Sequence, residues 1–141
     1  MAESFDAGTF VDGAADGIIA AGADGKIICW NAAAARIFGF TAEEALGRSL
    51  DLIIPERFRA RHGEGYRKVM ATGRTKYASD VLRVPALHRE GKALSIAFTV
   101  TLLDAPGGGR VIAAIVRDET ARWNEERQLR KRLAELEKQK A

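Results

Sequence analysis

Residues 23–44 read ADGKIICWNAAAARIFGFTAEE. Asp24 and Gly25 separate two runs of β-forming residues, 17–21 and 26–30, and an Asp-Gly pair in that position is a strong signal for a tight hairpin. The second run leads directly into alanine-rich sequence. The stretch therefore predicts a pair of antiparallel strands followed at once by helix.

Two helix starts follow the hairpin. Asn31 is a favourable N-cap for the alanine run 32–35. Thr41 is followed three residues later by Glu44, which is the spacing of a capping box, and we expect Gly47 to end that short helix.

Further along the chain, Pro55 and Gly73 bound a segment, 56–72, that we expect to form one helix. Residues 55–76 carry seven basic and two acidic side chains, whereas residues 1–54 carry three basic and eight acidic ones. Such a segment can bind nucleic acid, a membrane surface or an anionic cofactor, or it can be the solvated side of a helix. We expect most of the basic side chains on faces that point away from the core.

The second half of the chain has the period-two pattern of strands. Apolar and small polar residues alternate over 94–102, which predicts a strand with one buried face. A turn at 89–91 joins it to a strand predicted at Tyr77–Leu87, and Gly107–Gly109 joins it to an apolar strand at 111–116. The predicted order is two strands, several short helices and three antiparallel strands.

The two ends of the chain differ from the middle. We expect residues 4–14 to form an entry segment, anchored on the domain by Phe5, Phe10 and Val11. From Thr120 the sequence lacks Gly and Pro and is rich in charged residues, while its leucines fall at heptad positions d, a and d (Leu129, Leu133 and Leu136). This pattern predicts a short coiled coil that continues in a longer parent chain or is supported by a domain contact. A helix folded back on the sheet is the alternative.

Composition limits the class of protein. The 141 residues allow one domain plus an appendage, and 47% hydrophobic and 29% charged residues are typical of a globular chain. The single cysteine, Cys29, excludes a disulfide framework and a cysteine-built zinc site. No apolar run approaches the roughly 18 residues of a membrane span, and no signal peptide is recognisable. We expect a cytoplasmic protein with no membrane partner.

These motifs in this order resemble a PAS sensory domain. The resemblance covers residues 8–120 and rests on the following segments: Asp24-Gly25, Trp30-Asn31 with Ala32–Phe38, Gly39–Glu44, Gly47-Arg48, Ile54–Glu56 and Val116–Thr120. It implies an α+β fold with a five-stranded antiparallel sheet in the order 2-1-5-4-3 and short helices on one face, which wall in a ligand pocket. The implied organisation is an N-terminal cap segment (1–13), a PAS domain (14–118) and a coiled-coil-like signalling helix (119–141).

PAS domains share a fold and not a ligand, so the pocket has to be examined residue by residue. His62 lies four residues after Phe58, four before Tyr66 and seven before Val69, so these side chains share one helical face. We therefore expect His62 to point toward the apolar interior. Gly65 lies on the same face and leaves space for a flat molecule beside the helix.

Residues 59–66 resemble the heme-ligating helix of PAS oxygen sensors, with His62 at the position of the proximal histidine. A neutral imidazole in an apolar pocket suits the iron of heme b. The resemblance places Phe98 and Val100 on the distal side. Leu82 and Asp80 stand where those sensors have an arginine or methionine, so the donor that stabilises bound O₂ is missing, whereas CO and NO need none. Basic residues near the mouth, Lys68 and Lys76, are candidates to pair with heme propionates.

Other occupants of the pocket stay open. A lone histidine on an apolar helical face is often a core residue, so a cofactor-free or metabolite-binding PAS domain that acts in dimerisation is the alternative, and flavin is a third. A flavin–cysteine adduct is not expected, because Ser49, Leu50 and Asp51 occupy the region of the reactive cysteine. We expect Cys29 to be a buried structural residue and His88 to be exposed.

Enzymatic and nucleic-acid functions find little support. The sequence has no Ser-His-Asp set, no phosphate-binding loop and no metal-ligand spacing, so we expect a protein that is not an enzyme. No aromatic residues interleave with the basic segment, so Trp30 and Trp123 are interpreted as core or interface anchors. The predicted partners are a second copy of the chain, bound through the PAS surface and the C-terminal helix, a downstream effector domain, and a diatomic gas or small molecule. The relay would run from the sheet through Asp118 into the last helix.

Overall fold

The chain folds into an antiparallel five-stranded sheet with helices against one face. A computed structural model describes residues 4–75 and 80–140. The strands are β1 (Gly17–Ala21), β2 (Ile27–Trp30), β3 (Leu82–Leu87), β4 (Ala93–Asp104) and β5 (Arg110–Asp118). The helices are α1 (Ala7–Gly13), α2 (Ala32–Phe38), α3 (Ala42–Ala45), α4 (Glu56–Thr72) and α5 (Thr120–Lys140), with a 3₁₀ turn at Leu50–Ile53. The strand order is β2-β1-β5-β4-β3, so the predicted fold class and sheet order are confirmed.

The local signals act as predicted. The side chain of Asn31 accepts a hydrogen bond from the amide of Ala34 at the start of α2. Thr41 and Glu44 form a complete capping box at α3. Helix α4 ends at Gly73, whose φ of 70° is in the left-handed region that favours glycine.

Strand β3 is shorter than predicted. It begins at Leu82, whereas the sequence pattern placed its start at Tyr77, which lies outside the described residues. β3 is an edge strand, since its one neighbour in the sheet is β4. That position explains Pro85, because an edge strand tolerates a residue that cannot donate to the ladder.

The core lies between the sheet and α2. Trp30 and Phe38 are both buried, with ring centroids 5.5 Å apart, and the indole N–H of Trp30 donates to the carbonyl of Phe40 at 2.9 Å. Trp30 is thus the core anchor predicted from the sequence. Their burial holds the first hairpin against the helices, which positions the wall of the cavity described below.

One prediction about the ends of the chain, that Phe5 and Phe10 anchor the entry segment, is wrong. Phe5 and Phe10 are 76% and 64% exposed and pack edge-to-face on each other, so they do not anchor the entry segment on the domain. Helix α5 is not folded back on the sheet, because none of its residues is buried. Trp123 is exposed, with Arg127 in a cation–π contact over its ring, so of the two predicted roles, core or interface anchor, the core role does not apply to it.

Cys29 and His88 also differ from expectation. Cys29 is half-buried, not fully buried, and burial raises the pKa of its thiol. His88 is partly buried because its imidazole lies against Gly39, where an added Cβ would stand 2.7 Å from the ring.

None of the described helices is long and apolar enough to cross a membrane.

Candidate functional site

A cavity of about 840 Å³ lies between the inner face of the sheet and α4. Its sheet wall is apolar and includes Ile19, Leu82, Ile96, Phe98, Val100 and Ile112. Leu50, Ile53 and Ile54 of the 3₁₀ turn and its exit close one side. Apolar walls of this extent, with a few polar groups, are typical of small-molecule and cofactor sites, which usually span about 300–1,000 Å³.

Helix α4 forms the opposite wall and is held by few contacts. Met70 is the one buried residue among its 17. At its start the guanidinium of Arg59 donates to the carbonyl of Ile54 at 2.9 Å. At its end Arg110, the first residue of β5, donates to the carbonyl of Met70 at 2.6 Å. A cation at the C-terminal end of a helix also interacts favourably with its dipole, so Arg110 attaches α4 to the sheet.

Gly73 is required at this attachment for two reasons. Its backbone is left-handed, and a Cβ placed on it would stand 2.7 Å from the guanidinium of Arg110. A larger residue would therefore strain the turn and displace the arginine that holds α4.

His62 lines the cavity, but it is an exposed residue and not the inward-pointing, buried one that the sequence predicted. Its ring centroid lies 5.8 Å from that of Tyr66, one turn along α4. Burial lowers the pKa of His62 below its usual 6.5, and the nearby charge of Asp51 opposes this shift only in part. No hydrogen bond to the imidazole is found among the described residues, and the lowered pKa favours its neutral form.

Tyr66 ties α4 to the first hairpin. Its hydroxyl donates to the carbonyl of Gly22 at 2.5 Å. Burial, together with the charge of Asp24, raises the pKa of Tyr66 to about 12. The hydroxyl therefore stays protonated at physiological pH and acts as a structural donor.

The rim of the cavity is basic. Arg61, Lys68 and Arg74 line it together with one carboxylate, Glu64, among the described residues. These three basic residues are exposed, in line with the prediction that most basic side chains point away from the core. A rim with this charge balance favours ligands that carry anionic groups.

Seven of the predicted pocket residues surround this one cavity: His62, Tyr66, Lys68, Val69, Leu82, Phe98 and Val100. Lys76 lies outside the described residues. Asp80 is exposed and does not line the cavity.

Sequence reasoning missed the 3₁₀ turn and β5 as walls. Leu50 and Ile54 lie in a short apolar stretch before Pro55, which carries no helix or strand periodicity that would place it in the fold. Ile112 and Ala114 alternate with outward-facing residues of β5, and that alternation was the available signal for their position.

A short hydrogen-bonded network joins the cavity wall to α5. The amide of Glu119 donates to the carbonyl of Ser95 at 2.8 Å, and the amide of Ser95 donates to the hydroxyl of Thr120 at 3.0 Å. The carboxylate of Glu119 pairs with Arg83 of β3 at 3.3 Å. Because Arg83 lies between two cavity-lining residues, Leu82 and Val84, this ion pair connects the cavity wall with the start of α5.

Within residues 4–75 and 80–140, no group of three or more His, Cys, Asp or Glu side chains is arranged to hold a metal ion. A metal held by several side chains therefore has no site in the described part of the chain.

Comparison with known proteins gives one family. Residues 11–123 match the family model described as the PAS fold. An uncharacterized protein of Azorhizobium caulinodans is 35% identical over 120 residues, which make up 84% of this chain and 16% of that protein. The chain thus matches only a small part of that relative's length.

Solved structures share the same architecture. The PAS domain of a protein from Colwellia psychrerythraea superposes with a TM-score of 0.67 at 16% identity, covering 81% of this chain and 94% of that one. A sensory box histidine kinase/response regulator from Burkholderia thailandensis E264 superposes with a TM-score of 0.64 at 19% identity, covering 93% and 97%. At 16% and 19% identity, the likeness establishes that the fold is shared.

Proposed function

The chain belongs to the PAS fold family, whose domains are sensory modules of signal-transduction proteins, and we propose that the cavity of this member binds heme b with His62 as axial ligand. One observation carries the proposal. A neutral imidazole without a hydrogen-bond partner faces a large apolar cavity, and an unprotonated ring nitrogen is what heme iron requires from a histidine.

The residues that line the cavity are suited to a heme group. The sheet wall supplies an apolar surface, and Gly65 leaves the α4 side open, since a Cβ built there meets no atom within 4 Å. The propionates of heme are anionic, and Arg61, Lys68 and Arg74 at the rim are suited to pair with them.

Bound heme supplies an iron that takes a diatomic gas. On the distal side this chain would supply an apolar wall, because Leu82, Phe98 and Val100 have no side-chain hydrogen-bond donor. Such a wall suits CO and NO better than O₂, whose stable binding depends on a donor.

The proposed role is sensory and not catalytic, in a cytoplasmic protein. A ligand that fills the cavity changes the packing of α4 and of the sheet, and the Arg83–Glu119 pair passes the change to α5. From α5 the signal goes to a second copy of the chain or to an effector domain in a longer parent. The far greater length of the Azorhizobium relative supports such a parent. A ligand shifts this equilibrium only by its difference in affinity for the two states.

Absorbance spectroscopy tests the proposal. We expect the chain, expressed with adequate heme or mixed with hemin, to show a Soret band at roughly 400–430 nm that sharpens and shifts with CO. His62→Ala should abolish this band, whereas His88→Ala, which removes the other histidine of the chain, should keep it.

A protein that stays colourless with hemin would refute the heme proposal. Stabilisation by an apolar carboxylic acid in that case would assign the cavity to a small metabolite, and a bound yellow chromophore would assign it to flavin. A dimer indifferent to every added ligand would leave dimerisation as the function. Cys29 does not line the cavity, so a flavin bound there would have no cysteine partner among the described residues.

A further inference from the structure

Helix α4 is fastened to the domain at separate points and is not packed along its length. Each of the other described helices packs closely against a strand or another helix, whereas α4 packs closely against neither. Its one buried residue, Met70, lies near its C-terminal end. An element with so few buried apolar contacts separates from the domain at low cost, so α4 is a wall that moves as one body.

The two ends of α4 are joined to the domain differently. At the N-terminal end, only Ile54 and Pro55 separate α4 from the 3₁₀ turn, whose last residue, Ile53, is buried. The guanidinium of Arg59 also donates to the carbonyl of Ile54 at 2.9 Å. At the C-terminal end, nine residues lie between the end of α4 and the start of β3. The short, anchored N-terminal end is therefore the pivot, and the C-terminal end is the one that swings.

Two hydrogen bonds hold the swinging part of α4 in place. The guanidinium of Arg110 donates to the carbonyl of Met70 at 2.6 Å and lies against Gly73. The hydroxyl of Tyr66 donates to the carbonyl of Gly22 at 2.5 Å. Each bond joins a side chain to a backbone carbonyl elsewhere in the chain, so both break without any repacking of the core.

A swing of α4 uncovers the floor of the cavity. Ile19, Ile96 and Val116 line the cavity and are buried, so a ligand that comes to lie on them has to pass a wall that covers them. The part of α4 that lines the cavity runs from Arg61 to Thr72. Movement of the C-terminal end therefore widens the cavity most beside Thr72.

We propose that α4 is a lid that pivots at its N-terminal end, and that Arg110 and Tyr66 are the latches that keep it closed over the cavity. The ligand enters and leaves beside Thr72 while both latches are open. Arg110 is a positioning residue, because it does not line the cavity and acts on the ligand through α4. The proposal deepens the proposed function: it rests on the cavity being a ligand site, but not on which ligand fills it.

Spin-label distances test the pivot in the ligand-free chain. In the Cys29→Ser background, a label at Ala60→Cys or at Ala71→Cys on α4 is paired with a label at Thr99→Cys on β4, and all three positions are exposed. With a rise of about 1.5 Å per residue, a rotation of about 10° at the pivot moves position 71 by about 4 Å and position 60 by about 1 Å. We expect Arg110→Met to lengthen or broaden the distance from position 71 by about that amount and to leave the distance from position 60 nearly unchanged.

Three further variants separate the latches from the pivot. Tyr66→Phe removes only the second latch hydroxyl and should broaden the distance from position 71 as well. Arg59→Met should change neither distance, because the bond from Arg59 to the pivot is present in both lid positions. Arg117→Met is the matched control: it removes an arginine near the other end of β5, together with its ion pair to Asp16, and should also change neither distance.

Ligand exchange tests the lid as a gate. We expect Arg110→Met to take up hemin, and to release it to apomyoglobin, at least about ten-fold faster, because the loss of a hydrogen bond from a charged donor raises the open fraction by about that factor. Both rates rise together, so the Kd for hemin should stay within about two-fold of the parent. Lys68→Met, at the rim, removes a contact to the bound propionates and should speed release without speeding uptake.

Three results would overturn the proposal. An unchanged distance from position 71 in both Arg110→Met and Tyr66→Phe would show that these bonds do not hold a lid. Equal broadening at positions 60 and 71 would show that α4 detaches as a whole and does not pivot. Faster release without faster uptake in Arg110→Met would show that Arg110 stabilises the bound ligand and is not a latch. A chain that binds no hemin refutes the heme proposal alone, and the spin-label distances then decide the lid.

Discussion

Asn31 shows how much one buried side chain can organise. Its carbonyl oxygen accepts from the amides of Ile18 at 2.8 Å and Ala34 at 3.0 Å. Its amide group donates to the carbonyls of Val11 at 2.8 Å and Asp16 at 3.1 Å.

We expect Asn31→Ala to lower the free energy of unfolding by about 2–4 kcal/mol, measured by urea denaturation, because its buried hydrogen-bond partners are left unpaired. Asn124→Ala on exposed α5 is the control and should change it by under about 0.5 kcal/mol. An equal loss in both variants would argue against this role of Asn31.

His62 gives a second prediction at the scale of single residues. Burial lowers the pKa of its imidazole in the folded chain below the 6.5 of the unfolded chain. Above about pH 6.5 the imidazole is neutral in both states, and the folded chain keeps its full stability. As the pH falls, the unfolded chain binds the proton first, so stability is lost until the pH has passed the lower pKa of the folded chain. In heme-free protein, the free energy of unfolding should fall more steeply from about pH 7 to about pH 5 than in His62→Gln. Two parallel pH profiles would mean that the folded imidazole protonates freely.

At the scale of elements, α4 is a helix whose own sequence is not optimised for stability. Gly65 has helical backbone geometry and open space beyond its Cα. We expect Gly65→Ala to raise the free energy of unfolding by about 0.5–1 kcal/mol in urea denaturation, because alanine costs less backbone entropy in a helix. Gly47 has equally open space but a φ of 84°, so Gly47→Ala should be destabilising. If Gly65→Ala were destabilising too, the cavity wall would have to be tighter than the structure shows.

The elements also show what a sequence can and cannot reveal. The bounds of α4 were predictable because Pro55 and Gly73 act locally, and the strand order followed from the family resemblance. The exposure of Phe5 and Phe10 was not predictable, because an aromatic residue near a chain end has no local signal that says which surface covers it.

At the scale of the whole molecule, β5 touches both ends of the proposed relay. Its first residue, Arg110, holds α4, and its last, Asp118, directly precedes Glu119 and α5. β5 is hydrogen-bonded to β1 and β4 on its two sides, and in the proposed relay a movement of α4 would reach α5 through this strand. With 21 residues at about 1.5 Å each, α5 is a lever of roughly 30 Å. A rotation of only ~5° at its base would swing its far end by ~3 Å, enough to separate side chains in van der Waals contact.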